Sequence, residues 1–235
     1  MRLLLTAILA TAIGAGFLFQ EPDEQQGYAV GFRLGEETNR GLVLDGVGAN
    51  LDLVIQGFAD GLEDNAPAMD PEQLHTILAA VHREMQDRMV NRLLAEDPQF
   101  KQLHDENLAR SRAFHEAFAQ RQDVVTLPDG LQYLVKDPGA GPSPGPTDVV
   151  VANYRMILLD KTEIARGESA EIEVDEVLEA AGRILRMMEV GARWYVAFPP
   201  DLAFGATGRY PEVGPNETIL GSIELVAIKD KESGP

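Results

Sequence analysis

Cysteine is absent from the 235 residues. Its absence excludes disulfides, thiolate zinc sites and cysteine nucleophiles. It also excludes a bacterial lipoprotein anchor, which needs a cysteine at its processing site. Aromatic residues make up only 6% of the chain, with a single tryptophan. Basic residues are scarce as well: 20 Lys and Arg stand against 38 Asp and Glu, for a net charge of -18. Binding to nucleic acid or an anionic membrane needs clustered cations, so neither partner is expected. The acid excess serves solubility. The histidines are His75, His82, His104 and His115, and no pair has the four-residue spacing of a helical metal site. They read as surface residues, and neither a metal nor a cofactor is expected.

The chain opens with Met1-Arg2 and an apolar run over residues 3–19. At about 1.5 Å per residue, a helix of that length falls short of the roughly 30 Å hydrocarbon core. Ala10-Thr11-Ala12 is a small-x-small site of the kind a signal peptidase accepts. Residues 1–20 are therefore a signal peptide or, alternatively, an uncleaved N-terminal membrane anchor. Both place the remainder outside the cytoplasm, in the periplasm or on the outer face of the inner membrane. Residues 21–26 are polar and read as a linker.

Residues 27–122 show helical periodicity. Gly31 and Gly35 lie four apart in a first helix, and Leu51, Val54, Ile55, Phe58 and Leu62 stripe a second. Asp70-Pro71 provides a cap and a proline at the first helical position of a third. Leu74, Ile77, Leu78, Val81, Met85, Met89 and Leu93 carry its apolar face until Asp97-Pro98 interrupts it. A further helical pattern follows over 99–122. These thin helices cannot cover their own apolar faces, which predicts a homodimer through this region; a monomeric bundle folded back on the rest is the alternative.

From residue 127 the pattern changes. Leu127-Pro128-Asp129-Gly130 is a turn into a strand at 131–135. Strands are expected over 148–160 and 169–174, and a helix over 176–188. A further strand leads from Gly191 to the Pro199-Pro200 turn that presents Phe204. Pro215-Asn216-Glu217-Thr218 then leads into a last strand over 219–228. Strands with one helix imply an α+β unit, an antiparallel sheet wrapped on a helix.

In this order of turns and strands, residues 27–229 resemble the FKBP-type peptidyl-prolyl isomerases. The likeness is to bacterial envelope members of the macrophage infectivity potentiator kind. The resemblance implies a helical dimerisation domain at 27–122 and an isomerase domain at 127–229. It also implies an antiparallel sheet wrapped on one helix and a substrate of unfolded or proline-containing polypeptide. Carried across residue by residue, the second-strand tyrosine is Tyr154. The Phe-Asp pair of one pocket wall and one buried carboxylate falls on Ile164 and Ala165, and the next wall aromatic on Ile172. Val177 and Leu178 stand at the helix entry, where the family's backbone holds substrate. The floor tryptophan falls on Ala181, the turn tyrosine on Phe204 and the last-strand phenylalanine on Gly221.

No residue is assigned a catalytic role. Lost rings and a lost carboxylate predict a repacked, shallower pocket with Ile184, Leu185, Met187 and Met188 filling its floor. They also predict weak or absent isomerase activity. The chain is accordingly expected to be an envelope folding factor. The alternatives are a catalytically inactive pseudo-isomerase serving as a scaffold for one envelope partner, or an active isomerase whose pocket is built from different residues.

Overall fold

The computed structural model describes residues 22–44 and 48–229. The expected signal or anchor at 1–20 lies outside them. Among the described residues no helix is long and apolar enough to cross a membrane. The chain forms two compact units, 1–88 and 89–235.

The first unit holds α1 (Pro22–Leu44), α2 (Leu51–Leu62) and most of α3 (Pro71–Glu96). The helix α1 begins at Pro22, so residues 22–26 of the stretch read as a linker are helical. Asn50 caps α2, its side chain accepting from the Asp52 and Leu53 amides. Asp70 caps α3 by accepting from the Glu72 amide at 2.9 Å. The stripe of α2 is laid down as its spacing predicts, yet Leu51, Ile55, Phe58 and Leu62 are all exposed on the single chain.

The second unit opens with α4 (Pro98–Ala119), which Asp97 caps through the Gln99 and Phe100 amides. The proline that removes a backbone donor thus ends one helix and starts the next. The strands are β1 (Val125–Thr126), β2 (Gln132–Asp137), β3 (Val149–Leu158), β4 (Glu163–Glu173), β5 (Arg193–Phe198) and β6 (Ile219–Ile228). They form one antiparallel sheet in the order β1-β2-β5-β6-β3-β4. The two-residue β1 precedes the turn at Leu127, and β4 begins earlier than the strand expected over 169–174. One helix, α5 (Glu179–Met187), buries Ala180, Ile184 and Leu185 against the sheet. Gly182 is required there, since a Cβ would stand 2.5 Å from the Val174 carbonyl oxygen. The core also contains Leu131, Val150, Met188, Trp194 and Leu225. Trp194 stacks on Tyr133 with ring centroids 4.5 Å apart.

The helix α4 docks on this unit through polar groups. Asn107 Nδ2 donates to the Pro215 carbonyl at 2.8 Å, and Arg110 donates to Glu217 Oε1 at 2.7 Å. Ser111 Oγ lies 2.5 Å from Thr218 Oγ1. Asn107, Ser111 and Thr218 are buried, and each finds a partner, as burial of polar groups requires. The segment 215–218, legible in sequence only as the approach to the last strand, is the receptor for this helix.

Candidate functional site: an apolar cavity between helix and sheet

Between α5, the inner face of the sheet and the turn after β5 lies a cavity of about 310 Å³. That is the lower end of the volumes, roughly 300–1,000 Å³, that hold small ligands. The predicted positions converge on it. Tyr154 from β3, Ile164, Ala165 and Ile172 from β4, Val177, Leu178 and Ala181 at the start of α5, and Phe204 all line one wall or another. Gly221 alone is not among the lining residues.

The reason Gly221 is covered lies in the strand register. It pairs with Met156 on β3 and Val196 on β5, on the same face as Ile219 and Ile223. A Cβ at Gly221 would stand 2.9 Å from Met156 Sδ and 3.3 Å from the Phe198 ring. The space of the last-strand ring is thus filled from both neighbouring strands. Ala165 and Ala181, by contrast, both line the cavity.

The expected floor is also different. Of the four side chains assigned to it, only Leu185 lines the cavity. Ile184 and Met188 are spent in the core, and Met187 is partly exposed. The close filling is thus seen at Gly221, while Ala165 and Ala181 line the cavity. Sequence reasoning missed Met156, Phe198, Ile219, Ile223 and Arg209 as lining residues. Two-residue alternation from Tyr154 to Met156, and around Gly221 on β6, carries part of that signal. Nothing local marks Arg209, which comes from a loop.

Among the described lining residues, hydrogen-bonding side chains are confined to Tyr154 and Arg209. Gly167 pairs with Tyr154 across β3 and β4, and a Cβ there would collide with the Tyr154 ring. The missing side chain gives the ring its place. At the helix entry the Leu178 carbonyl accepts from the Ala181 amide at 2.8 Å and the Gly182 amide at 3.0 Å. The Leu178 amide makes no backbone hydrogen bond among the described residues. Phe204 follows the single 3-10 turn Pro200–Leu202, whose start is set by Pro199-Pro200. An apolar cavity with one phenol, one guanidinium and one available amide can take a hydrophobic ring and hold an adjoining carbonyl. It offers no nucleophile, and it lacks any carboxylate among the described lining residues.

The histidine expectation needs a correction. His75 and His82 are exposed, but His104 is largely covered and His115 is half-buried against the sheet. Its Nδ1 lies 2.7 Å from Gln132 Oε1 and its Nε2 3.1 Å from Thr218 Oγ1. The Gln132 amide nitrogen donates to the His115 carbonyl at 3.0 Å, which leaves Oε1 as the acceptor facing the ring. Nδ1 must then carry the proton and Nε2 accept from Thr218, whose oxygen accepts from Ser111. Burial pushes the His115 pKa below the usual histidine value, against the opposing hydrogen bond to Gln132. The group that selects against a surface position is Thr218, more than a hundred residues away, which no helical pattern could signal.

Comparison with known proteins agrees with this architecture. Residues 23–135 match the domain amino terminal to FKBP-type peptidyl-prolyl isomerase, and residues 141–226 match FKBP-type peptidyl-prolyl cis-trans isomerase. The chain is 28% identical to the outer membrane protein MIP of Legionella longbeachae, over 97% of this chain and 98% of that protein. It is 29% identical to the FKBP-type peptidyl-prolyl cis-trans isomerase FkpA of Escherichia coli, over 94% of this chain and 81% of that one. The crystal structure of FkpA from Escherichia coli shares the fold with a TM-score of 0.54 at 26% identity, covering 90% of this chain and 99% of that chain. With an amino-terminal helical region ahead of an α+β unit wrapped on one helix, the chain belongs to the FKBP-type peptidyl-prolyl cis-trans isomerases.

Proposed function

We propose that the chain is an exported, envelope protein-folding factor that binds proline-containing segments of unfolded polypeptides in the cavity beside α5, with weak isomerase activity. Rotation about an X-Pro bond twists a partial double bond over a barrier of about 20 kcal/mol. The twisted imide has lost resonance and charge separation, so dry apolar walls favour it over the planar form. Ile164, Ile172, Phe198 and Phe204 provide such walls. In this reading the Leu178 amide donates to a carbonyl next to the ring. What the cavity lacks is a ring at Ala181 to close its floor and a carboxylate at Ala165 to hold the twisted geometry.

One observation carries the reading: eight of the nine predicted positions line an apolar cavity in which residues 165 and 181 are alanines and no carboxylate stands among the described lining residues. Binding of an apolar ring survives this, while preference for the transition state over the ground state declines. The exposed stripe of α2 supports homodimerisation through the amino-terminal region, since large apolar faces are seldom left to water. Two such chains would present two cavities to one unfolded client.

A protease-free peptide isomerisation assay tests the first part, with a catalytic constant well below that of active family members expected. A constant equal to theirs would overturn the weak-isomerase reading. Suppression of aggregation for several unrelated clients is expected from a folding factor. Binding to one envelope partner, without any general client, would assign the chain to the scaffold role instead.

A further inference from the structure

We infer that Arg209 gives the cavity a preference for proline flanked by an acidic side chain. The inference rests on the peptide-binding role proposed above and narrows its substrate. Among the described residues lining the cavity, Arg209 is the one that carries a charge. Its guanidinium carbon lies 4.8 Å from the centroid of the Phe204 ring. The ring that walls the cavity therefore also seats the cation. A guanidinium held by its face keeps its in-plane donors for an acceptor at the edge, and a carboxylate fits that edge with two parallel bonds.

The backbone beneath it is tied down. The Arg209 amide donates to the Val213 carbonyl at 2.8 Å and the Val213 amide returns the bond at 2.9 Å. The carboxylate nearest this cation, Glu212, stands 4.0 Å away, with both side chains about half exposed at 55% and 49%. An ion pair that long and that wet is weak, and a substrate carboxylate can replace it. Apart from the Tyr154 hydroxyl, no other lining side chain can read the residue beside the proline. The whole chain, at a net charge of -18, repels an acidic segment. A preference for acid would therefore come from this local cation, against the general field.

The test measures binding of three peptides, Ala-Glu-Pro-Phe, Ala-Leu-Pro-Phe and Ala-Lys-Pro-Phe, to the full chain and to its Arg209→Gln and Arg209→Lys variants. Glu and Lys affinities are each normalised to the Leu peptide on the same protein. The Glu-to-Lys ratio should fall by on the order of fivefold in Arg209→Gln. It should recover in part in Arg209→Lys, and in the natural chain it should shrink as salt rises. A ratio equal in the natural chain and Arg209→Gln, with the Leu peptide bound by both, would overturn this inference and leave the peptide-binding role standing. Failure of the natural chain to bind any of the three would overturn both.

Discussion

His115 on α4 and Thr218 ahead of β6 meet with 3.1 Å between Nε2 and Oγ1, which makes a neutral imidazole the receiving end of a buried chain of hydroxyls. Protonation turns Nε2 into a donor, so Thr218 would have to reverse its own hydrogen bond. Charging this ring is thus opposed by geometry as well as by burial. Within the second unit Glu217, paired with Arg110, lies beside Thr218, and Arg112, Glu116 and Asp201 share the groove beside the ring.

The sign of the pH dependence follows. The folded pKa of His115 is depressed below its ordinary value, so in the titration window the unfolded chain binds more protons. Stability from this site is fully present above the unfolded value near 6.5 and is lost as the pH falls from there to the folded pKa. Melting temperatures between pH 7.5 and about 5 should decline in the natural chain. In His115→Gln the decline should flatten, with about 1 kcal/mol lost at neutral pH from imperfect replacement of the hydrogen bonds. Equal slopes in the two proteins would remove His115 as the cause. The carboxylate of Asp129, held low by Arg183, contributes stability that disappears only in more acid solution.

The close filling at Gly221, set against Ala181 lining the cavity, predicts opposite behaviour at two substituted positions. Gly221→Phe must displace Met156 and Phe198, and overpacking of this kind costs about 1 to 3 kcal/mol. Its melting temperature should drop. Ala181→Trp enters the cavity, so it should keep the melting temperature and, combined with Ala165→Asp, raise isomerase activity. Thermal melts and the peptide assay on both proteins decide this, and a destabilised Ala181→Trp beside an unchanged Gly221→Phe would reverse the assignment.

Oligomerisation can be assigned to the amino-terminal region by truncation. A fragment of residues 89–235 keeps α4 on its docking groups and should be monomeric by light scattering, whereas the chain from residue 22 onward should be dimeric. Cutting at 123 instead would strip the partners of Gln132 and Thr218. That shorter fragment should melt lower by several degrees, a loss of about 1 to 3 kcal/mol for buried polar groups left unpaired. A dimeric 89–235 fragment would move the interface out of the helical region.

Pipecolyl macrolides, which the family likeness implies as ligands, should bind poorly. On the family resemblance, Ala181 stands at the position of the floor ring, Ala165 at that of the carboxylate and Phe204 at that of the turn tyrosine. A ring contact is worth about 1 kcal/mol beyond its area and a hydrogen bond about 1 more. With the lost area, several kcal/mol should go, at least about a thousandfold in affinity. Calorimetry at micromolar protein should register no heat of binding, and nanomolar affinity would show the pocket to be differently built.

The helices with local punctuation were legible in the sequence. Asp70-Pro71 and Asp97-Pro98 act on amide donors within a few residues of themselves, and the apolar stripe of α2 needs no partner to be recognised, whereas the Asn50 cap emerged only from the structure. Eight of the nine positions carried across from the family resemblance line one cavity, but it was the resemblance, not any local pattern, that pointed to them. The tertiary structure alone decided that Met156 and Phe198 fill the face of Gly221 while Ala181 lines the cavity, and that Arg209 comes to rest on Phe204. It also decided that α4 belongs with the sheet, through His115, Ser111 and Thr218. These are contacts between residues distant in the chain, where strand register and volume choose the neighbour, and neither quantity is written in any local pattern.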